Sequence, residues 1–227
     1  MIPPLIVQET LDKGIDIIAV TDHNATANIE AVQKAALGTS LLVLPGMELQ
    51  TVEEVHSLCI FEGLDQVIQF QKWVSKALPK IENRPDYFGE QFVVDETGEL
   101  IRREEQLLLV SAEISLTQAW QMVDELGGVF IPAHVDRKAF GLLENLGLVP
   151  TDIPLHTLEI SRNIKSSEAV SRYPQLKGYS FLKGGDAHRL DEIIGFNQFN
   201  LEKPTFSEIK KALLGEENRT VTIQDNL

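Results

Sequence analysis

Cysteine is nearly absent from this chain. Cys59 is the only one in 227 residues, which excludes an internal disulfide framework and a cysteine-based zinc site. Long apolar runs are missing too. No stretch reaches the roughly 20 residues of a membrane span, and Met1 is followed by Ile2, Pro3 and Pro4 rather than by a basic-then-apolar signal peptide. A cytoplasmic address with no membrane partner is the expectation. Basic residues are in deficit, 20 against 34 acidic, for a formal charge of −14. Such a surface repels phosphate backbones, so a broad nucleic-acid-binding face is disfavoured, while divalent cations are attracted. The sequence also contains no G-x-S-x-G elbow, no Walker loop and no G-x-G-x-x-G. Cys59 lies inside an apolar stretch and reads as core rather than as a reactive thiolate.

What is present is an alternation of helix and strand patterns. A helix over 3–14 opens on Pro3 and Pro4 and closes on Gly14. An apolar strand over 15–20 follows, then a helix over 28–37, an apolar run from Leu41, a strand over 55–61 and an amphipathic helix over 64–78. Residues 79–107 are charged and poorly periodic, with a hairpin expected across "QFVVDETGELIRR". That excursion is too short to hold its own core, so 1–227 reads as a single domain carrying an insertion. Beyond it come a helix at "SLTQAWQMVDELGG" with Ser115 and Gln118 as a capping box, the strand "GVFIPAHV", strands over 156–161 and 178–188, a helix over 205–215 with Thr205 and Glu208 as a second capping box, and a last strand at "RTVTI". The strands are continuous apolar runs rather than alternating ones. This predicts an α/β fold with a parallel sheet covered by helices.

The polar residues of interest fall where these strands stop. "IIAV" runs into Asp22 and His23, "LLVLPG" into Glu48, "GVFIPA" into His134 with Asp136 and Arg137 just after, and "FLKGG" into Asp186 and His188. His56 begins its apolar run instead of ending it, as a strand entering from the opposite direction would have it. In a parallel sheet the C-terminal strand ends share one face, where active sites are built. Singly, each residue has a plainer reading: Asp22 and Asp186 could be helix N-caps, and a lone histidine after a strand is often a hydrogen-bonded loop residue. Four of the five histidines at strand boundaries outweigh that, leaving only His156, which has no acidic neighbour, with the plainer reading. Neutral imidazole and carboxylate together suit a divalent metal cluster of zinc, manganese or iron. Such ions lower the pKa of a water and neutralise phosphate oxygens.

The motifs "VTDHN", "PGMELQTVEEVHSLCIF", "PAHVDR" and "GGDAHRL" resemble, in order and over nearly the whole chain, those of the PHP (polymerase and histidinol phosphatase) family of metallophosphoesterases. The resemblance implies a distorted (β/α)7 barrel with up to three divalent ions at its mouth. It implies hydrolysis of phosphoesters by water activated at those ions. Carried over by motif, Glu48 would bridge the first and second ions, His56 and His134 would complete the second, Asp186 would bind the first, and His23 and His188 would hold the third. Asp22 would orient a ligand, so that Asp22, His134 and Asp186 are the candidate catalytic residues. Arg137, Arg162, Asn163 and Arg189 are candidates for gripping the substrate phosphate, a task suited to arginine's fork. Small phosphomonoesters or nucleotides are the expected substrates, with nucleic-acid ends as the alternative.

The resemblance breaks at the start. The family opens with a His-x-His strand, and this sequence begins inside what should be the first helix. The barrel is therefore expected to lack its first strand and to carry an unpaired sheet edge. The intact later motifs favour an upstream strand; the other reading is a reduced, catalytically impaired metal-binding module.

Overall fold

The computed structural model describes residues 1–225. Pro3 at the first turn starts α1 (Pro3–Asp12), and Gly14, at φ +65°, turns the chain into β1 (Ile17–Val20). After α2 (Ile29–Ala35) comes the longest strand, β2 (Leu42–Gln50), buried at every position but the first. β3 (His56–Ile60) returns alongside it, and α3 (Leu64–Ala77) packs Val67, Phe70 and Val74 into the main core. The excursion forms a short helix, α4 (Pro85–Phe88), and the expected hairpin of β4 (Phe92–Val94) and β5 (Leu100–Arg103). Next come α5 (Leu116–Glu125), β6 (Val129–Pro132) and α6 (Leu142–Leu146). The chain ends with β7 (Thr157–Ser161), α7 (Ser166–Arg172), β8 (Ser180–Gly184), β9 (Asn197–Asn200), α8 (Phe206–Leu214) and β10 (Thr220–Ile223).

The fold is mixed α/β, and the sheet is not purely parallel. Its order is β1-β2-β3-β6, with β1 parallel to β2 but β3 antiparallel to both β2 and β6. β1, β2 and β6 thus run one way and β3 the other, which puts His56 at the same sheet end as His23, Glu48 and His134. β7 and β8 form a separate parallel pair. No closed barrel forms among the described residues: four separate sheets are present. The expected parallel sheet is interrupted by β3, whose reversed direction agrees with His56 standing at the start of its apolar run.

The capping box at Ser115 and Gln118 forms as expected. At Thr205 only half of one forms. The Thr205 hydroxyl accepts from the Glu208 N–H, but the Glu208 carboxylate turns instead to Arg219, Lys211 and the Glu202 N–H. Those cationic partners hold the Glu208 carboxyl down at about 2.

β1 and β8 each pair on one side only. Between them opens a cavity of 2080 Å³, lined by Ile17, Leu44, Ile131, Leu182 and Phe199 among others, which reaches His23, Glu48, Asp186 and His188 at one end. On its far side, the Lys183 N–H donates to the Asn197 side-chain carbonyl, and the Asn197 amide donates back to the Lys183 carbonyl. One side-chain amide thus occupies part of the edge of β8.

Candidate metal centre

The β1–β2 ladder itself sets the first pair of site residues. Its register, Ile17 with Leu42 through Val20 with Pro45, continues as a parallel bridge between His23 and Glu48. The Glu48 N–H donates to the Asp22 carbonyl and the Asn24 N–H to the Glu48 carbonyl, at 3.2 and 3.0 Å. Gly46 makes this approach feasible, since a Cβ there would come within 2.8 Å of Thr21 Cγ2. Asp22 therefore positions Glu48 through its backbone. Its carboxylate accepts from Asn28 at 3.1 Å, and burial raises its pKa against that bond. Neither aspartate caps a helix: the N-cap of α2 is Asn28, and Asp186 precedes a short 3-10 turn whose N-cap is Arg189.

Glu48 is the hub. Its Oε1 lies 3.1 Å from His56 Nδ1 and 3.3 Å from His134 Nε2, and its Oε2 lies 3.3 Å from His23 Nδ1. Burial alone would raise its pKa, but the hydrogen bonds from His134 and His56 and the nearby His23 outweigh it and hold the carboxyl far below the usual range. Burial pushes His23 the other way, below its ordinary value, despite Glu48. A carboxylate favoured in its ionised form beside an imidazole favoured in its neutral form is the donor set divalent cations take. Ligand atoms of His23, Glu48 and His56 all lie within 4.8 Å of one another. His134 Nδ1 is buried with no hydrogen-bond partner, and an unpartnered buried nitrogen is costly unless something binds it. These residues fit a divalent ion. His23 groups here with Glu48 and His56, whereas the motif resemblance assigned it to a third ion with His188.

Asp186 and His188 stand beside this hub rather than in it. Asp186, at φ +46°, is ion-paired with Arg137. The exposed His188 places Nδ1 2.9 Å from the Asp186 carbonyl, and its ring centroid is 5.9 Å from that of His23. Arg137, Arg162 and Asn163 line a small pocket of 130 Å³ with His134 and Asp186, and Arg162 is paired with Glu192 at 3.1 Å. Arg189 does not line that pocket. His156 is exposed at the start of β7, where only its carbonyl is engaged, by Ser180.

Glu159 and Phe140 were not singled out from sequence, and Asp136 was noted there after His134 without a role. Glu159, in the middle of β7, is buried, and its carboxylate accepts from the His134 N–H at 3.1 Å. Burial first, then the charge of Glu48, pushes its carboxyl up to about 8. A Cβ at Gly184 would run into that carboxylate, so glycine on β8 makes room for it. Its sequence signal was a single acid inside the apolar run "TLEIS". Asp136 accepts from the Ser161 N–H at 2.6 Å and hydroxyl at 2.7 Å, joining the exits of β6 and β7. Phe140, at φ +58°, stacks on His56 with centroids 4.4 Å apart and planes 1° from parallel.

No protein-family model matches the chain. The uncharacterised protein YqxK of Bacillus subtilis (strain 168) is 24% identical over 241 residues, spanning 96% of this chain and 56% of that protein. Among solved structures, the lesion-specific endonuclease PfuEndoQ of Pyrococcus furiosus superposes at a TM-score of 0.70 with 19% identity, over 97% of this chain and 53% of that one. Endonuclease Q bound to a 27-mer duplex with an abasic lesion at its active site gives 0.68 and 18%, over 96% and 52%. A two-domain protein of Bacteroides vulgatus, containing a predicted PHP-like metal-dependent phosphoesterase, gives 0.53 and 13%, over 97% and 59%. The chain thus spans a little over half the length of these proteins. Likeness at this identity speaks for architecture, and the chain has the fold of the PHP-like metal-dependent phosphoesterases.

Proposed function

We propose that this chain carries the site of a metal-dependent phosphoesterase that hydrolyses phosphomonoesters of small metabolites or nucleotides. The observation that carries the reading is the ionised Glu48 within 3.1 to 3.3 Å of three imidazoles, His23, His56 and His134. Bound zinc, manganese or iron would supply Lewis acidity, lowering the pKa of a water and countering charge on the phosphoryl oxygens. The chain's own residues would bind and orient. Glu48, His23, His56 and His134 would hold the ion, and Asp186 and His188 would extend the site at the mouth. Arg137, Arg162 and Asn163 would hold the phosphate of the substrate.

The reading extends to the fold. A distorted (β/α)7 barrel needs one more strand, and the cavity between β1 and β8 supports it: an apolar slot with an open backbone edge on β1 that ends at the metal centre. Translating the DNA upstream of the Met1 codon tests this. An in-frame apolar strand ending in His-x-His is expected, and its absence would favour the reduced site.

The enzyme reading is tested by loading the chain with manganese or zinc and following p-nitrophenyl phosphate hydrolysis and bound metal by elemental analysis. Two or three ions per chain and steady turnover are expected, with Glu48→Gln losing more than about 100-fold in metal affinity. One ion or none in a protein without turnover would leave a metal-binding module. A second reading, action on nucleic-acid ends, is favoured by the likeness to Endonuclease Q and opposed by the −14 charge. Comparing rates on mononucleotides and on lesion-bearing oligonucleotides separates the two.

A further inference from the structure

The two guanidiniums that line the small pocket beside the metal centre are each engaged by a carboxylate. Arg162 is held by Glu192 at 3.1 Å, and Arg137 is held by Asp186, the acid at the exit of β8. Arg137 and Asp186 both line the small pocket that contains Arg162 and Asn163. The backbone of Arg137 is fixed. Its N–H donates to the His134 carbonyl at 2.9 Å, and Gly141 packs so closely on the turn that a Cβ there would strike the Arg137 carbonyl. Its side chain, in contrast, is 38% exposed.

We propose that Arg137 is an exchangeable internal cation. It neutralises Asp186 when no ion is there, and it turns to the phosphate of the substrate, beside Arg162 and Asn163, when a divalent ion takes the carboxylate. The inference rests on the metal-dependent reading above and adds a coupling to it. A half-exposed monovalent ion pair is weak, so a divalent ion competes for Asp186 with success. The released guanidinium then has no carboxylate partner and presents its fork to an anion. Because linkage is reciprocal, metal loading strengthens anion binding and anion binding strengthens metal loading by the same factor.

Manganese binding to the whole chain, followed by the loss of the free-ion resonance, tests this. Arg137→Gln is expected to bind manganese about fivefold more tightly than the wild type at the weakest site, as loss of a competing half-exposed pair predicts. Asp186→Asn should abolish that site in both backgrounds. Equal or weaker binding in Arg137→Gln, or an unchanged ion count in Asp186→Asn, overturns the proposal. Both outcomes leave the phosphoesterase reading standing, because that reading depends on the Glu48 cluster. A measurement on the wild type alone gives a second test: solvent exchange of the Arg137 Nη protons, one of which donates to Asp186, should quicken when zinc is added, as followed by NMR. No change in that signal at saturating zinc also overturns the proposal.

Discussion

β1 and β2 are neighbours in one sheet, and the more apolar of the two, β1, is the less buried. β2 has β1 on one side and β3 on the other and is buried from Val43 to Gln50. β1 has β2 alone; its Ala19 is exposed and its isoleucines are half-buried. The site divides along the same line. Glu48 on β2, His56 on β3 and His134 just past β6 are at most 6% exposed, whereas Asp186 and His188 beyond β8 face the open cavity. Burial is therefore set by what lies on both sides of a strand, not by its own composition. The packed half fixes the Glu48 hub, and the open half leaves Asp186 and His188 beside the cavity.

The largest effect that would break this comparison is a pair of core truncations. Leu49→Ala removes a wholly buried side chain of β2 and is expected to cost about 3 to 4 kcal/mol in urea denaturation. Ile18→Ala, on β1, removes a half-buried side chain and should cost about 1 kcal/mol. Equal losses would mean that β1 is packed in solution by something that fills its side of the cavity. That outcome would sharpen the case for a further strand there.

Most elements of both halves were legible in the sequence, but their mutual arrangement was not. The strand at 55–61 was readable from its apolar run, and the position of His56 at its start foretold the reversed direction. Which strands flank it was not readable, because a buried apolar run carries no mark of its neighbours. Glu208 looked like a capping residue, since spacing from Thr205 is local. The arginine and lysine that claim its carboxylate, Arg219 and Lys211, are fixed only once α8 and the β10 approach are built. At the site, Glu48 and the histidines were visible as strand endings. Phe140 was not, because its role depends on a turn that folds back onto His56.

Glu159 gives an intermediate effect and tests where the two halves meet. Its carboxyl is raised to about 8 by burial and by Glu48. The folded state therefore holds a proton that the unfolded state releases near 4.5, and stability falls as pH rises between those values. With metal removed by chelation, the apo-protein should lose on the order of 2 kcal/mol between pH 6 and pH 8. His23, whose pKa is lowered by burial, works oppositely: its contribution grows as pH rises through its ordinary value of 6.5. The difference between wild type and Glu159→Gln isolates the carboxyl. If the two pH profiles run parallel, Glu159 is ionised in the folded protein and its burial is offset by a partner from the open side.

The smallest effect concerns how the packed half holds its ligands. Phe140 lies flat on His56, and the backbone carbonyl of Phe140 accepts from the His56 N–H at 3.0 Å. One residue thus fixes both the ring plane and the strand start of a candidate ligand. Phe140 is 38% exposed, so its truncation removes little buried surface, and its φ of +58° is a strain that alanine shares. Phe140→Ala is expected to cost about 1 kcal/mol of stability, the scale of one aromatic stack. Its effect on zinc affinity should be larger, about tenfold, because residues that orient a metal-binding imidazole act at that scale. His188, exposed and tilted 5.9 Å from the His23 ring, has no such flat stack to lose among the described residues. Calorimetric zinc titration of Phe140→Ala beside its urea melt reads both quantities. A stability loss without a change in zinc affinity would make Phe140 a packing residue and leave His56 oriented by Glu48 and Gln50 alone.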